Sequence, residues 1–274
     1  MGQQLSKWKR RKEARQRLYD IGEDRAHTLV IHYSCESFYE IKDGRTPRVT
    51  SIAVRYFASG TTASFSIHKS AELSKIAFGD IDGQYDVLEK QMLDEFFKFI
   101  EIHQQYQFVH WNMRDINYGF QAIEHRYKVL GGNPISIQES KKTDVARLLI
   151  DVYGPGYAAH GKSGRLHTLM DLNSIKTKDV LTGKEEAQAF DDKEYVKLHQ
   201  STLKKVDVVD NLLDRFIDGN LKTQAKFKEK YGYHPAILFE LLSEHWIVSL
   251  LGVAIAMISF IAVFFPDLFP SIFG

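Results

Sequence analysis

The chain has 274 residues, a formal net charge of +1, 44% hydrophobic residues and 26% charged residues. This composition is ordinary for a globular protein, and the balanced charge excludes a general electrostatic attraction to nucleic acid. Cys35 is the only cysteine, which excludes an intrachain disulfide and fits a reducing compartment.

The first 27 residues form a basic segment that contains seven lysines and arginines between Lys7 and Arg17. No apolar run follows them, so the segment does not have the pattern of a secretory signal peptide. A solvated, disordered tail is the interpretation we favour, and contacts with anionic lipid or with nucleic-acid phosphate are alternatives. Gly2 and Ser6 also match the short N-myristoylation pattern.

Three strands are predicted after this segment. The stretches 29–33, 49–57 and 62–68 are rich in β-branched and aromatic residues, and turn signals that end at Gly44 and Gly60 separate them. Short turns between consecutive strands predict an antiparallel meander.

A helical period replaces the strand pattern between residues 85 and 130. Helices are predicted over 85–103 and 115–130, with a brief strand at 107–110 between them. A strand that follows a crossover helix should run parallel to the first strand. Together these elements predict an α/β domain with a mixed sheet.

The next part of the domain is predicted to be helical, with helices over 143–153, 166–175 and 191–217. The loop after the first of them contains residues 156–163, which match the GxxxxGKS phosphate-binding motif. Pro155 directly precedes this loop, and no later apolar strand ends in the aspartate that a P-loop protein needs. We therefore favour a glycine-rich surface loop over a P-loop NTPase.

An uncharged apolar stretch runs from Ile247 to Phe265. As a helix it would be about 28 Å long, close to the roughly 30 Å of a bilayer's hydrocarbon core, and Trp246 suits the headgroup level. We therefore predict one C-terminal transmembrane helix. Basic residues favour the cytoplasmic side, so a single-pass membrane protein with a cytoplasmic N-terminal domain is expected. The small-xxx-small spacing of Gly252 and Ala256 predicts a homo-oligomer through this helix.

The sequence therefore divides into five parts. They are a basic N-terminal segment (1–27), a folded domain (28–218), a basic juxtamembrane connector (219–245), a transmembrane helix (246–266) and a short tail (267–274). Lysines close to the predicted span suit the anionic inner leaflet of a membrane.

Between residues 28 and 216, three antiparallel strands, a helix, a strand, a helix and a late long helix follow one another. This order resembles that of the ribonuclease-H-like DEDD 3′–5′ exonucleases. The resemblance implies an α/β fold with a ribonuclease-H-like mixed sheet, three antiparallel strands and then parallel strands, flanked by helices. It also implies metal-dependent hydrolysis of phosphodiester bonds, in which four carboxylates hold two divalent ions.

Three of those four carboxylates have a counterpart in this sequence. Glu36 matches the glutamate of the family's first strand, Asp115 matches the aspartate of its second motif, and Asp207 matches the aspartate of its late helix. Ser34 stands where the first aspartate is expected, and a serine hydroxyl is a poor ligand for Mg²⁺. The resemblance implies a Mg²⁺ or Mn²⁺ cofactor held by Glu36, Asp115 and Asp207, which are also the expected catalytic residues.

Other polar residues near these motifs are candidates for catalysis or for substrate contact. His199 lies eight residues before Asp207 on roughly the same helical face, where it could replace the family's catalytic His or Tyr. The expected substrate-binding residues are Ser34, His110, Asn112 and Arg114.

Two functional hypotheses follow. The first is a membrane-anchored 3′–5′ exonuclease-like protein that acts on or binds nucleic acid, and the three matching carboxylates favour it. The second is a catalytically inactive, membrane-tethered interaction module, and Ser34 favours this alternative because it leaves the metal site without its first carboxylate.

Overall fold

The structure, a computed structural model, describes residues 2–37, 46–175, 178–226 and 246–264. The strands are β1 (Thr28–Cys35), β2 (Val49–Tyr56), β3 (Thr62–Ser66), β4 (Gln107–His110) and β5 (Lys142–Asp144). The helices are α1 (Gly2–Glu23), α2 (Ile67–Leu73), α3 (Tyr85–Ile102), α4 (Phe120–Val129), α5 (Val145–Tyr153), α6 (Gly164–Leu172), α7 (Gly183–Asp191), α8 (Tyr195–Ile217) and α9 (Trp246–Phe264).

Within the described residues, the five strands form one sheet in the order β3-β2-β1-β4-β5. Strand β2 is antiparallel to β1 and β3, whereas β4 is parallel to β1 and β5. The predicted α/β class and mixed sheet, with an antiparallel meander followed by parallel strands, are therefore confirmed. The carboxyl ends of β1, β4 and β5 all lie at the same edge of the sheet.

Some elements differ from the prediction. Residues 142–144 form β5, which precedes α5 and is too short and polar to show a strand pattern. The strand predicted over 62–68 ends at Ser66, and α2 begins at the next residue, Ile67. Helix α4 begins at Phe120 rather than at Asp115. The long late helix begins at Tyr195, and a separate helix, α7, precedes it.

Helices cover both faces of the sheet. Side chains alternate along a strand, so Leu29 and Ile31 of β1 pack with α3 and α4, while Val30 packs with α1, α5 and α8 on the other face. All three side chains are fully buried. The central strand thus anchors the core, and α8 lies across β1 and β2.

The interpretation of the N-terminal segment as a disordered tail is wrong. Residues 2–23 form helix α1, in which Ala14, Leu18 and Ile21 are buried in the core next to α5 and α8. These three residues follow a helical spacing that the surrounding charges hide in the sequence. The Arg17 guanidinium donates to Thr143 Oγ1, Gln107 Oε1 and the Ser140 carbonyl over 2.7–3.0 Å, which ties α1 to the edge of the sheet.

We expect Ile21→Ala to lower the free energy of unfolding by about 2–4 kcal/mol, because it opens a cavity at a side chain that is 1% exposed. Tyr19→Ala, on the solvent face of the same helix at 60% exposure, is the control and should change stability by less than about 0.5 kcal/mol. Chemical denaturation measures both. Equal, negligible effects would show that α1 does not belong to the folded core.

The C-terminal helix α9 contains no charged residue. Among the residues that the structure describes, no helix is long and apolar enough to cross a membrane. The predicted span over 246–266 extends past residue 264, the last residue that the structure describes. Most of the predicted connector and all of the predicted tail also lie outside the described residues. The anchor therefore stays a prediction.

Candidate functional site

The structure gives the three predicted metal ligands separate partners. Glu36, just after β1, accepts a hydrogen bond from the Arg48 backbone N–H at 3.3 Å, and Arg48 Nε lies 3.5 Å from the same oxygen. Asp115 is exposed in the loop before α4, where its Oδ1 accepts from Asn117 N at 2.8 Å. Asp115 thus closes a local turn.

Asp207 lies at a different place along the sheet. Its Oδ1 accepts a hydrogen bond from Arg55 Nη1 at 3.1 Å. Arg55 pairs with Val30 early in β1, whereas Glu36 follows the end of that strand. Of the residues that the structure describes, no three His, Cys, Asp or Glu side chains lie close enough to hold a metal ion. The carboxylates carried over from the exonuclease family are therefore not brought together.

Thr202, rather than Asp207, is the residue of α8 that faces Ser34. Ser34 Oγ lies 2.8 Å from Thr202 Oγ1, which in turn lies 2.6 Å from Ser51 Oγ. The two helix positions are five residues apart, which separates them by about 7.5 Å along the axis and turns Asp207 to another face. Neutral hydroxyls therefore occupy the junction between β1 and α8.

One carboxylate, that of Glu186, contacts Ser34, but it is already ion-paired with a lysine. Glu186 of α7 accepts from Ser34 Oγ at 3.0 Å and from Ser201 Oγ at 2.9 Å. Its other oxygen lies 2.6 Å from Lys205 Nζ, in an ion pair whose side chains are both nearly buried. We call Ser34, Ser51, Glu186, Ser201, Thr202 and Lys205 the hydroxyl cluster. The single carboxylate of the cluster forms an ion pair with Lys205. The donor set therefore does not fit the two-ion centre that the resemblance implies.

His199 of α8, predicted to be catalytic, contacts another histidine. It is 6% exposed on α8, and its ring packs edge-on against His68 of α2 with 5.0 Å between centroids. Burial lowers the pKa of His199 to about 4, and His68 and Lys69 add to this effect. The histidine is therefore a neutral packing residue near pH 7.

A pocket of about 220 Å³ opens at the carboxyl ends of β4 and β5. In open α/β sheets, ligands bind in the crevice outside the carboxyl ends of the strands. The lining residues are His110, Met113, Arg114, Phe120, Gln121, Glu139, Lys142 and Asp144. Two predicted substrate-binding residues, His110 and Arg114, therefore lie in one pocket.

Asp144 organises this pocket. Its Oδ1 accepts from Ala146 N at 3.0 Å, which caps α5, and from Asn112 N at 3.1 Å. The predicted residue Asn112 thus acts through its backbone, held at a positive φ of 56°. Oδ2 lies 3.0 Å from Arg114 Nε, but out of line for a hydrogen bond, so this buried oxygen has an ionic neighbour and no hydrogen-bond donor.

His110 supplies the opposite hydrogen-bonding character. The Met113 backbone N–H donates to its Nδ1 at 3.1 Å, which places the ring hydrogen of the neutral imidazole on Nε2. Burial lowers the pKa of His110 to about 4, although the nearby Asp144 acts in the other direction. Near pH 7 the ring is therefore a neutral N–H donor beside the Asp144 carboxylate.

The remaining charges around the pocket are paired. Lys142 Nζ lies 2.6 Å from Glu139 Oε1 and 5.0 Å from the centre of the Phe120 ring. Arg114 faces Asp144. With His110 neutral, two cations meet two carboxylates, and Met113 and Phe120 supply apolar wall.

The pKa of His110 makes the stability of the domain depend on pH. A histidine with a lowered pKa in the folded state stabilises the fold above its unfolded pKa of about 6.5 and loses this contribution as pH falls toward about 4. We therefore expect the free energy of unfolding to fall between pH 7 and pH 5 by less in His110→Gln than in the wild type. An NMR titration in which the His110 ring protonates near pH 6.5 would contradict this expectation.

The loop over 156–163 lacks the context of a P-loop. A helix, α5, leads into it instead of a strand, and Pro155–Tyr157 forms a 3₁₀ turn. The loop residues 159–163 are exposed, and the Thr168 hydroxyl donates to the Ala159 carbonyl at 3.0 Å. This segment is therefore a glycine-rich surface loop.

Sequence reasoning missed Asp144, Thr202, Glu186 and Lys205. Asp144 lay inside a predicted helix, although an aspartate immediately before an apolar helical run is a recognisable N-cap signal. No protein-family model, curated protein or solved structure matches the chain. Function is therefore inferred from the geometry of the pocket and of the hydroxyl cluster.

Proposed function

We propose that this chain is a membrane-tethered binding module on a ribonuclease-H-like scaffold and that it does not cut nucleic acid. The scaffold is supported by the strand order β3-β2-β1-β4-β5, with β2 as the antiparallel strand. The observation that carries the proposal is the contact between the Ser34 and Thr202 hydroxyls at the junction of β1 and α8.

The chemistry of that junction explains the loss of cutting. Two-ion hydrolysis needs carboxylates that bridge two cations, and hydroxyls bind Mg²⁺ poorly. Lys205 already pairs with Glu186, the one carboxylate of the hydroxyl cluster, so the cluster offers a cation no carboxylate without a partner. The ligand site is instead the pocket at the carboxyl ends of β4 and β5.

The test is a nuclease assay with the full-length protein in detergent. End-labelled single strands of DNA and RNA are incubated with Mg²⁺ or Mn²⁺, beside a metal-dependent 3′–5′ exonuclease as the positive control. We expect the strands to keep their length. Stepwise shortening by the wild type that Asp115→Asn abolishes would contradict the proposal and restore the exonuclease hypothesis.

The tether is proposed for the C-terminal region, with the domain on the cytoplasmic side. Residues 246–264 carry no charge. Several apolar side chains of α9 are at least half exposed, namely Leu250, Val253, Ile255, Met257, Ile258 and Phe260. A surface of this kind needs an apolar environment.

We expect the full-length chain to float with lipid vesicles, whereas a chain that ends at residue 226 stays in solution. The truncation removes α9 and keeps every element of the sheet and its helices. A density-gradient flotation assay compares the two chains. Recovery of the full-length chain from a membrane-free supernatant without detergent would rule out the tether.

A further inference from the structure

The first half of helix α1 is strongly basic, although the chain as a whole is nearly neutral. Residues 1–17 contain seven lysines and arginines and a single acid, Glu13, so this stretch carries a formal charge of +6. Because the net charge of the chain is +1, the remaining residues together carry −5. A charge asymmetry of this kind is typical of a chain that contacts nucleic acid or a membrane surface.

Part of this positive charge faces solvent. The apolar residues of α1 are buried next to α5 and α8, which fixes how the helix is turned. Lys9, Arg10 and Lys12 are exposed, and we call these three residues the basic face. In the part of the chain that the structure describes, none of the three forms an ion pair, and the Lys12 ammonium lies 5.7 Å from the centre of the Trp8 ring. The basic face is therefore open to an anionic partner.

The chain leaves the domain toward α9 from the layer of helices that contains α1. Helices α1, α5 and α8 cover one face of the sheet, and α3 and α4 cover the other. Leu221 and Ala225 follow α8, and both pack in the same core cluster as α1. Residue 226 is the last described residue before α9. The route to the predicted membrane helix therefore begins on the layer that carries the basic face.

We propose that the basic face binds the anionic lipid headgroups of the membrane that holds α9 and thereby orients the domain on the leaflet. Close to an anionic leaflet, each lysine or arginine strengthens binding roughly fivefold, so three give about a hundredfold. This is weak, because even a myristoyl chain, with a binding constant of about 10⁴ M⁻¹, gives only marginal membrane binding. The basic face therefore turns a domain that α9 already holds, and a chain that ends at residue 226 still stays in solution. This inference rests on the proposed tether.

Lysine labelling tests the contact in the full-length protein. The chain is inserted into nanodiscs of phosphatidylcholine alone or of phosphatidylcholine mixed with phosphatidylserine, and mass spectrometry follows how fast an amine-reactive reagent modifies each lysine. We expect Lys9 and Lys12 to be modified at least threefold more slowly in the anionic nanodiscs. At 1 M salt, where the Debye length is about 3 Å, this difference should disappear. Lys98 of α3, exposed on the opposite layer, is the control and should react equally in both lipids.

A pair of charge reversals ties the protection to the basic face. Arg10→Glu places an acid between the two labelled lysines and leaves both of them in place, so their protection by anionic lipid should be lost. Lys98→Glu makes the same change of charge on the opposite layer and should leave that protection as it is in the wild type. Arg10 and Lys98 are both exposed, so neither change disturbs the core, and melting curves check that both variants fold.

Two results would overturn the inference. Equal labelling of Lys9 and Lys12 in neutral and anionic nanodiscs would show that the basic face does not contact headgroups. If single-stranded RNA, added to the protein in detergent, slows the labelling whereas anionic lipid does not, the basic face belongs to nucleic acid. Elution of the protein together with neutral nanodiscs checks the tether separately. Failure to insert would count against the proposed tether, and insertion without protection would count against this inference alone.

Discussion

Replacing Arg126 by methionine should lower the free energy of unfolding by about 3–5 kcal/mol, because it leaves a buried carboxylate without its partner. Arg126 of α4 donates from Nε and Nη2 to the two oxygens of Glu89 of α3 over 2.6–3.1 Å, and Glu89 is 0% exposed. The Val49 backbone N–H at the start of β2 also donates to Glu89, at 2.6 Å. One ion pair thus joins two helices to the sheet.

The pH dependence of this variant provides a second readout. Burial raises the pKa of Glu89, and Arg126 opposes that shift, so removing Arg126 should raise the pKa further. A carboxyl group with a raised pKa in the folded state takes up a proton as pH falls through that value, which relieves the cost of the buried charge. Arg126→Met should therefore lose less stability near pH 4.5 than near pH 7.

The controls isolate the unpaired charge. Glu89→Gln combined with Arg126→Met should recover part of the loss, because no buried carboxylate remains. Arg147→Met removes a half-exposed arginine from the pair with Asp151 and should change stability by less than about 1 kcal/mol. A loss in Arg126→Met no larger than that of Arg147→Met would show that the Glu89 pair does not hold the helices to the sheet.

Ser34→Asp should destabilise the domain by about 2–4 kcal/mol and should not create a nuclease. The new carboxylate enters a position that is 1% exposed, and the present hydroxyl is already 3.0 Å from Glu186. Two carboxylates at this distance repel each other and raise each other's pKa. Ser34→Ala is the control and should lose only about 1 kcal/mol, the contribution of its hydrogen bonds.

A double variant distinguishes repulsion from simple loss of packing. Glu186→Gln removes the neighbouring charge, so Ser34→Asp should cost less in that background than in the wild type. Denaturation curves for the four chains of this cycle give the coupling directly. A gain of Mn²⁺-dependent strand shortening in Ser34→Asp would instead show that the junction still forms a metal site.

The sequence predicted the sheet well because its long strands carry the signal. Strands β1 and β2 have runs of β-branched and aromatic residues, and a short turn over 57–61 joins β2 to β3. Strand β5 consists only of Lys142, Thr143 and Asp144, which is too short for a periodic hydrophobic pattern. Its pairing with β4 identifies these residues as a strand. Helix α1 was hidden because the charges around Ala14, Leu18 and Ile21 outweigh its narrow apolar stripe.

The candidate site was predicted in part, for a physical reason. His110 and Arg114 follow β4 closely along the chain, so the local pattern placed them at the edge of the sheet where the pocket lies. The position of Asp207 relative to Ser34 depends on how α8 is rotated and shifted against β1. The sequence alone does not determine that packing. The contact between Thr202 and Ser34 shows that the helix presents a different residue to the strand.

A Mn²⁺ titration of the full-length protein tests whether Glu36, Asp115 and Asp207 form a metal centre. Electron paramagnetic resonance reports the free ion, and a chain with Glu36→Gln, Asp115→Asn and Asp207→Asn is the control. We predict that Mn²⁺ stays free in both chains, because the three carboxylates have separate partners. Tight, stoichiometric binding by the wild type that the triple variant loses would show that these carboxylates do hold a metal ion.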